Sequence, residues 1–180
     1  MMSERVETVV AVVGIGSNIP DRFANLKCGL DRWKAVDGTR VIGWSRVYES
    51  APVGEGFEGD FLNAVIVAET SLTPEELLDA CHEIERQCGR DREAEKESAS
   101  RNRTLDCDVI FFGDDTVTGG EGGNRLVIPH PWWWDRVFVL LPLMDVIEHL
   151  TPHQKRLVQS VTNLAKIDLE SCRRVENVLD

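Results

Sequence analysis

The feature that most constrains this chain is a short apolar segment, residues 105–111, that carries two carboxylates. Alternate residues of a strand point to one face, so Asp106 and Asp108 would face the same way, about 6.6 to 6.8 Å apart. Two like charges flanked by hydrocarbon repel each other and lose hydration unless a cation lies between them. Magnesium is the natural cation, because it takes one or two carboxylates and completes its octahedron with water and phosphate oxygens. The alternative from this segment alone is an acidic, exposed edge strand. The side chains predicted to face the other way are those of Leu105, Cys107, Val109 and Phe111.

Arginines just before this segment form a local positive patch in an acidic chain. The formal net charge is −11, which argues against a nucleic-acid binder, including an RNA-recognition sheet. A small anionic ligand is compatible with this charge, because the arginines would meet its negative charge locally. The alternative is a solvated helix face, which suits Arg86. The patch consists of Arg86, Arg90, Arg92, Arg101 and Arg103.

The length of 180 residues predicts a single domain over residues 1–180 that buries roughly 70% of its unfolded surface. The five cysteines are an odd number without paired spacing, and Cys81 and Cys107 fall at apolar positions, which predicts reduced core thiols. The N-terminus has no apolar signal core, and the longest apolar runs are too short to span a bilayer. The sequence therefore predicts a cytoplasmic protein without a membrane segment.

Hydrophobic periodicity predicts an α+β fold of the ferredoxin-like type. The predicted order is strand 9–15, helix 22–36, strand 40–49, strand 61–69, helix 74–88 and the aspartate strand. This β-α-β-β-α-β order predicts an antiparallel sheet with helices on one face. A polar excursion at 113–124 and helices at 133–149 and 153–165 would complete the domain, the last 150–180 being a helical extension and tail.

Residues 90–103 are predicted to form a charged loop. Nine of the twelve side chains in 91–102 are charged or carry a hydroxyl, and none is large and apolar. Nothing there can offset the entropy of ordering without a ligand, so we expect a mobile loop in the free protein.

Several smaller motifs remain open from the sequence alone. Gly14-x-Gly16 lacks the third glycine of a dinucleotide fingerprint, so its default meaning is a tight turn between strand and helix. Asn63 and Phe61 would share one strand face, where they could read a flat heterocycle or lie at an exposed sheet position. His130 lies between two prolines and is either structural or functional. Of the three consecutive tryptophans 132–134, at least one should line a pocket or groove.

Together these segments resemble the 6-hydroxymethyl-7,8-dihydropterin pyrophosphokinase family over about residues 8–145. The most specific match is Arg103-Thr104-Leu105-Asp106-Cys107-Asp108-Val109-Ile110, which follows the family signature Arg-Thr-Leu-Asp-Leu-Asp-Ile. Supporting matches are Gly14 to Asn18, Ser45 to Ser50, Phe61 to Ala64, Ile84 to Arg90 and Ile128 to Phe138.

The resemblance implies transfer of a diphosphate from ATP to the pterin's hydroxymethyl group, in folate biosynthesis, by a protein predicted to be a monomer. It implies two Mg²⁺ ions, brought with ATP and held by Asp106 and Asp108. The implied catalytic arginines are Arg90, Arg92 and Arg103. The implied nucleotide-binding residues are Leu78, Glu85, Val109, His130 and Arg136. The implied pterin-binding residues are Ser50, Val53, Phe61, Asn63 and Phe138.

One departure from the family concerns the loop before the aspartate strand. The family often has Arg-Trp-Gly-Pro-Arg there, whereas this chain has Ala99-Ser100-Arg101-Asn102-Arg103 in a longer loop. Without the tryptophan, closure over the site should bury less apolar surface and be less complete. The competing interpretation is a pterin- and nucleotide-binding module of the same fold with weakened transfer.

Overall fold

The computed structural model of the chain describes residues 7–119, 126–164 and 171–179. Its strands are β1 (Val9–Ser17), β2 (Thr39–Trp44), β3 (Tyr48–Ser50), β4 (Phe61–Thr70), β5 (Asp106–Phe112), β6 (Val117–Gly119), β7 (Leu126–Ile128) and β8 (Cys172–Arg174). Its α-helices are α1 (Arg22–Trp33), α2 (Pro74–Gln87), α3 (Arg92–Glu97), α4 (Val137–Asp145) and α5 (Pro152–Leu164), and single 3-10 turns cover Trp133–Asp135 and Ile147–His149. Part of the predicted excursion at 113–124 and the last residue of the helix predicted at 153–165 lie outside the described residues. None of the helices in the described ranges is both long and apolar enough to cross a bilayer.

One antiparallel sheet organises the fold. Its strand order is β5-β1-β4-β3-β8, and β2 also pairs with β4. Strand β4 is ten residues long, so its beginning pairs with β3 and its end pairs with β2. The predicted class, an antiparallel sheet combined with helices, is confirmed. The aspartate strand β5 lies at the end of the strand order, next to β1.

The two helices of the predicted β-α-β-β-α-β order pack on one face of this sheet, as expected, and the C-terminal helices cover the other face. Helices α1 and α2 pack on one face, where Leu30 and Leu77 meet Ile15 in the first core. Helices α4 and α5 pack on the other face, where Leu140 and Val158 belong to a second core. The physical reason is that β1 is apolar in both directions, which is the pattern of a strand buried on its two faces.

Local signals set the ends of the first two helices. The Asp21 carboxylate accepts hydrogen bonds from the first backbone N–H groups of α1. Thr73 and Glu76 form the capping box predicted for α2, with a proline at the first turn. Gly89 follows α2 with a φ of +89°, a conformation that suits glycine.

Several predicted segments differ from the structure. The helix predicted at 133–149 is divided into α4 and the two 3-10 turns that flank it. The strand predicted at 40–49 is divided into β2 and β3, because Ser45 turns its hydroxyl back to accept a hydrogen bond from the Val65 N–H. The charged loop predicted at 90–103 contains helix α3, whose N-terminus is capped by Asp91. The extension after residue 150 includes a strand, β8, as well as the predicted helix.

A β-bulge changes the facing of the last residues of β5. Val13 pairs with Val109, but the preceding residue Val12 pairs with Phe111, so β5 has one extra residue between them. Ile110 and Phe111 consequently both lie in the second core. The prediction that Phe111 faces the same way as Cys107 was therefore wrong.

A disulfide joins Cys28 of α1 to Cys88, which follows α2. The prediction of reduced thiols is wrong for this pair, which is 60 residues apart in the chain and shows no spacing signature. Free thiols are found at Cys81, Cys107 and Cys172, all of them buried. Burial raises the pKa of the Cys81 and Cys107 thiols well above the usual value, so both stay protonated.

Candidate active site

Most of the predicted site residues line one cleft, on the α4 side of the sheet, where the starts of β4 and β5 flank the end of β1. This arrangement follows from the register, because Gly16 of β1 lies between Asn63 of β4 and Asp106 of β5. The predicted residues that line the cleft are Ser50, Val53, Phe61, Asn63, Arg103, Asp106, Asp108, Arg136 and Phe138.

The glycines at 14 and 16 form the floor of the cleft between its two ends. Both lie inside β1 and line the cleft, so the predicted turn is wrong. A Cβ on Gly16 would stand 3.1 Å from Asn63 Oδ1 and 3.5 Å from the Phe61 ring. The missing side chain therefore leaves room for these two residues beside the carboxylates.

Asp106 is held by two guanidinium groups. Arg90 Nη1 lies 2.6 Å from its Oδ1, and Arg103 Nη1 lies 2.5 Å from its Oδ2. Burial alone would raise the pKa of Asp106, but Arg103 and Arg90 outweigh it and hold the pKa below its usual value. This carboxylate is therefore ionised at neutral pH.

Among the described residues, Asp108 has no such close cation. The nearest guanidinium atom is Arg136 Nη1 at 3.9 Å, and His130 Nε2 lies at 4.0 Å, both beyond hydrogen-bond distance. Burial and the neighbouring Asp106 raise the pKa of Asp108 to about 7. The Asp108 carboxylate of this pair is thus not neutralised by a close cation. The carboxylate oxygens of the pair are hard donors, which is the kind of ligand that Mg²⁺ prefers. Within the described ranges there is no group of three or more metal-ligating side chains, so a magnesium ion here would need further oxygens from a ligand or from water.

A buried ion cluster supports the arginine end of the cleft. Glu85 has no exposed side-chain surface, and its Oε1 lies 2.7 Å from Nη1 of Arg90, which is 3% exposed. The other oxygen, Oε2, lies 2.6 Å from Nη2 of Arg92, which is more exposed. Glu85 also accepts a hydrogen bond from the Cys107 N–H at 2.8 Å. Glu85, predicted to bind nucleotide, therefore holds the two arginines and the start of β5 from within the protein.

His130 lies beside Asp108 in a neutral form. Burial and the charge of Arg136 lower its pKa to about 4. Its Nδ1 accepts a hydrogen bond from the Trp132 N–H at 3.2 Å, so the proton of the neutral ring is on Nε2. The Nε2–H on the Asp108 side can therefore donate to an anionic ligand.

The other end of the cleft combines an amide with two aromatic rings. Asn63 Nδ2 donates to Ser50 Oγ at 3.1 Å, and both residues are buried. Phe61 and Phe138 line the cleft with half-buried rings. An amide with hydrogen-bonding capacity, flanked by rings that offer stacking faces, suits a flat polar heterocycle.

Other predicted contacts lie elsewhere. The side chains of Leu78 and Val109 belong to the first core, on the opposite face of the sheet from the cleft. Trp133 packs edge-on against Phe111 in the second core, and Trp132 and Trp134 are half exposed, so the structure brings no tryptophan of this triplet into the cleft lining. Sequence reasoning missed Phe57, which does line the cleft. Its signal would have been a lone aromatic residue in a polar, glycine-rich segment.

The sequence of this chain is similar to those of known proteins over most of its length. The family model described as 7,8-dihydro-6-hydroxymethylpterin-pyrophosphokinase matches residues 12–148. The 2-amino-4-hydroxy-6-hydroxymethyldihydropteridine pyrophosphokinase of Methylorubrum extorquens is 35% identical over 166 residues, covering 92% of this chain and 98% of the relative. The Bacillus subtilis protein of the same name is 35% identical over 144 residues, covering 78% of this chain and 80% of the relative.

Solved structures share the fold at low sequence identity. The wild-type HPPK-DHPS of Plasmodium falciparum superposes with a TM-score of 0.64 at 16% identity, over 96% of this chain and 49% of that one. A structure of HPPK-DHPS in complex with substrates gives a TM-score of 0.62 at 14% identity, over 93% of this chain and 47% of that one. The chain thus spans about half the length of the solved chains that it matches.

Proposed function

This chain belongs to the 7,8-dihydro-6-hydroxymethylpterin-pyrophosphokinase family, and on that premise we propose that it transfers a diphosphate from ATP to 6-hydroxymethyl-7,8-dihydropterin, releasing AMP, in folate biosynthesis. The observation that carries the proposal is one cleft with two chemically different ends. Paired carboxylates and arginines line one end, and an amide and two phenylalanine rings line the other. A reaction between a triphosphate and a flat heterocycle needs these two kinds of surface side by side.

The transfer itself is a displacement at the β-phosphorus of ATP. The pterin's hydroxymethyl oxygen forms a bond to that phosphorus, the bond from phosphorus to the oxygen of the α-phosphate breaks, and the hydroxyl proton is released. Each phosphate oxygen carries negative charge that repels the attacking oxygen, so cationic groups must draw this charge away. Arg103 and Arg136 line the cleft and are assigned to the phosphates, and Arg90 and Arg92 support them from the buried cluster.

Asp106 and Asp108 are assigned to magnesium that accompanies ATP. When bound, the metal neutralises phosphate charge and orients the triphosphate. Asp106 stays ionised because two arginines hold it, and Asp108 must give up the proton that its raised pKa favours. We assign two ions to this pair, as the family resemblance implies.

The remaining assignments complete the two substrate sites. Asn63 and Ser50 are assigned to the polar edge of the pterin, and Phe61 and Phe138 to its two faces, with Val53 at the rim. His130 is assigned to the nucleotide through its Nε2–H. Leu78, Glu85 and Val109 remain proposals as nucleotide contacts, although their side chains lie in the first core or the buried cluster.

Two proposals concern organisation. We assign residues 9–112 to a ferredoxin-like unit, which is supported by the element order when β2 and β3 are counted as one strand. We treat residues 1–180 as one domain, which is supported by the pairing of β8 with β3 of the main sheet, and we propose that it is a monomer.

The test is incubation of the protein with ATP, Mg²⁺ and 6-hydroxymethyl-7,8-dihydropterin, followed by nucleotide analysis. We expect AMP, formed only when the pterin is present. Release of ADP would indicate transfer of the γ-phosphate instead. Release of neither nucleotide, together with retained pterin binding, would indicate a binding module. The Asp108→Ala variant is the matched negative control.

A further inference from the structure

Two segments close over the pterin end of the cleft and contact each other there. We call residues 51–60, between β3 and β4, the pterin segment, and residues 98–103, before β5, the arginine segment. The Arg101 N–H donates to the Gly56 carbonyl at 2.8 Å. The Glu58 N–H donates to Asn102 Oδ1 at 2.8 Å, and Asn102 Nδ2 donates to Glu58 Oε2 at 3.2 Å. The segments therefore form a shared surface in the ligand-free protein.

Phe57 is the aromatic residue of this contact. Its ring lies edge-on to Phe61, with the centroids 5.3 Å apart. The guanidinium carbon of Arg101 is 5.3 Å from the Phe57 centroid, and that of Arg103 is 6.0 Å from it. One ring thus contacts both a proposed pterin-stacking residue and two arginines of the opposite segment.

Burial distinguishes Phe57 from its neighbours. In the pterin segment only Pro52 and Phe57 are half-buried, and the other eight residues are exposed. The backbone at Gly56 has a φ of +88°, and a Cβ there would stand 3.1 Å from the Cγ of Arg101. The hydrocarbon part of Arg101 therefore lies against the pterin segment just beside the ring.

Asn18 holds the end of the arginine segment, because its Oδ1 accepts from the Arg103 N–H at 2.7 Å, but the segment has no large apolar side chain of its own. Residues 91–102 contain no large apolar side chain, so their own burial cannot offset the entropy lost when they become ordered. Phe57 supplies apolar surface and a cation–π partner from the other side of the cleft.

We propose that Phe57 is a positioning residue for the pterin, because it joins the two segments and thereby fixes Phe61 and Arg103 together. The proposal rests on the proposed function for the identity of the substrate. The contact between the segments can be tested without any activity, so the two proposals can fail separately.

The first experiment is hydrogen exchange in the ligand-free protein. Phe57→Ala should speed exchange of the Arg101 amide about tenfold, the change expected if closure weakens by about 1.4 kcal/mol. Glu55→Ala, at an exposed position of the same segment, is the matched control and should leave this exchange unchanged. Unchanged exchange in Phe57→Ala would overturn the proposal.

The second experiment measures substrate use. Phe57→Ala should raise the KM for the pterin about tenfold and that for ATP less than twofold. Phe57→Trp, which keeps an aromatic ring, should have the same KM for the pterin as the parent. A double-mutant cycle with Arg101→Ala should give a combined effect smaller than the product of the two single effects. Equal increases in both KM values, or strictly multiplicative effects, would contradict the assigned role. If the parent releases no AMP, the proposed function fails, and the dissociation constant of the pterin, followed by its fluorescence, tests Phe57 in the same variants.

Discussion

Glu85 Oε1 lies 2.7 Å from Arg90 Nη1 in a pair that is almost completely removed from solvent. The same carboxylate accepts the Cys107 N–H, and the same guanidinium contacts Asp106. This pair therefore fastens the last turn of α2 to the first residues of β5, which carry the proposed metal ligands.

Breaking this pair should cost stability as well as activity. Glu85→Gln leaves the buried Arg90 charge poorly compensated, which we expect to lower the free energy of unfolding by about 3 kcal/mol. Glu83→Gln removes an exposed carboxylate from the same helix, 2.6 Å from Arg86, and should cost far less stability, because solvent screens this pair. Urea unfolding of both variants is the measurement. Similar losses in the two variants would show that the buried pair has no special role.

The two aspartates should affect the metal-free protein in opposite directions. Asp106→Asn should destabilise it, because Arg90 and Arg103 lose a charged partner. Asp108→Asn should stabilise it, because the substitution removes a charge that burial and Asp106 disfavour. Both variants should lose about a thousandfold or more in AMP release, since several kcal/mol of metal stabilisation is absent. Thermal unfolding without magnesium measures the stability, and near-parent turnover in either folded variant would refute the metal assignment.

Asp108 should also link stability and magnesium binding to pH. Because its pKa is raised to about 7 in the folded state, its contribution to stability is full at low pH and is lost as the pH rises through about 7. His130 acts in the opposite direction, since its pKa is lowered to about 4 and its contribution is lost as the pH falls. The informative quantity is therefore the difference in unfolding free energy between the parent and Asp108→Asn, which should shrink from alkaline to acidic pH.

Magnesium affinity of the parent should fall about tenfold per pH unit below about 7. A pH-independent difference between the two proteins would contradict this linkage.

Asn63 should discriminate the pterin from ATP. In Asn63→Leu the Ser50 hydroxyl loses its donor and the pterin loses an amide partner, at about 1 to 3 kcal/mol for each unpaired group. The dissociation constant for the pterin should rise about 10- to 100-fold, whereas that for ATP should hardly change. Isothermal titration with each ligand is the measurement. Equal weakening of both ligands would mean that Asn63 is a structural residue.

The disulfide between Cys28 and Cys88 should stabilise the fold. It closes a loop with a sequence separation of 60, for which the chain-entropy model gives about 4 kcal/mol as an upper estimate. A reductant should lower the melting temperature of the parent. The Cys28→Ser, Cys88→Ser double variant should melt lower than the parent and be insensitive to the reductant. A parent whose melting temperature does not respond would show that the bond contributes little.

Local signals made part of this structure predictable. The capping box at Thr73 identified the start of α2, and the alternation around Asp106 and Asp108 identified the strand and the face that these carboxylates share. Because both signals involve only a few neighbouring residues, they can be recognised without knowledge of the tertiary fold. The meeting of Asn63 with Asp106 depends on pairing through β1, and it was expected only from the family resemblance.

The missed features depend on contacts between distant residues. The second helical layer required knowing that both faces of β1 are covered, and the disulfide joins a cysteine of α1 to one just after α2, far away in the chain. The bulge at Ile110 changes the facing of Phe111 through its register with Val12. Helix α3 is too short to show a clear period, although its cap at Asp91 was readable.

The pairing of β8 with β3 has a consequence for the order of folding. Arg173 and Glu49, which face each other across this pair, are 124 residues apart in the chain. Contacts of such separation form late, because a long loop must close before they add any stability. During synthesis β3 is made long before β8, and until β8 arrives it is left with an uncovered hydrogen-bonding edge. Ser50, the last residue of β3, lines the pterin end of the cleft. This end of the cleft should therefore be the last part of the sheet to reach its native form.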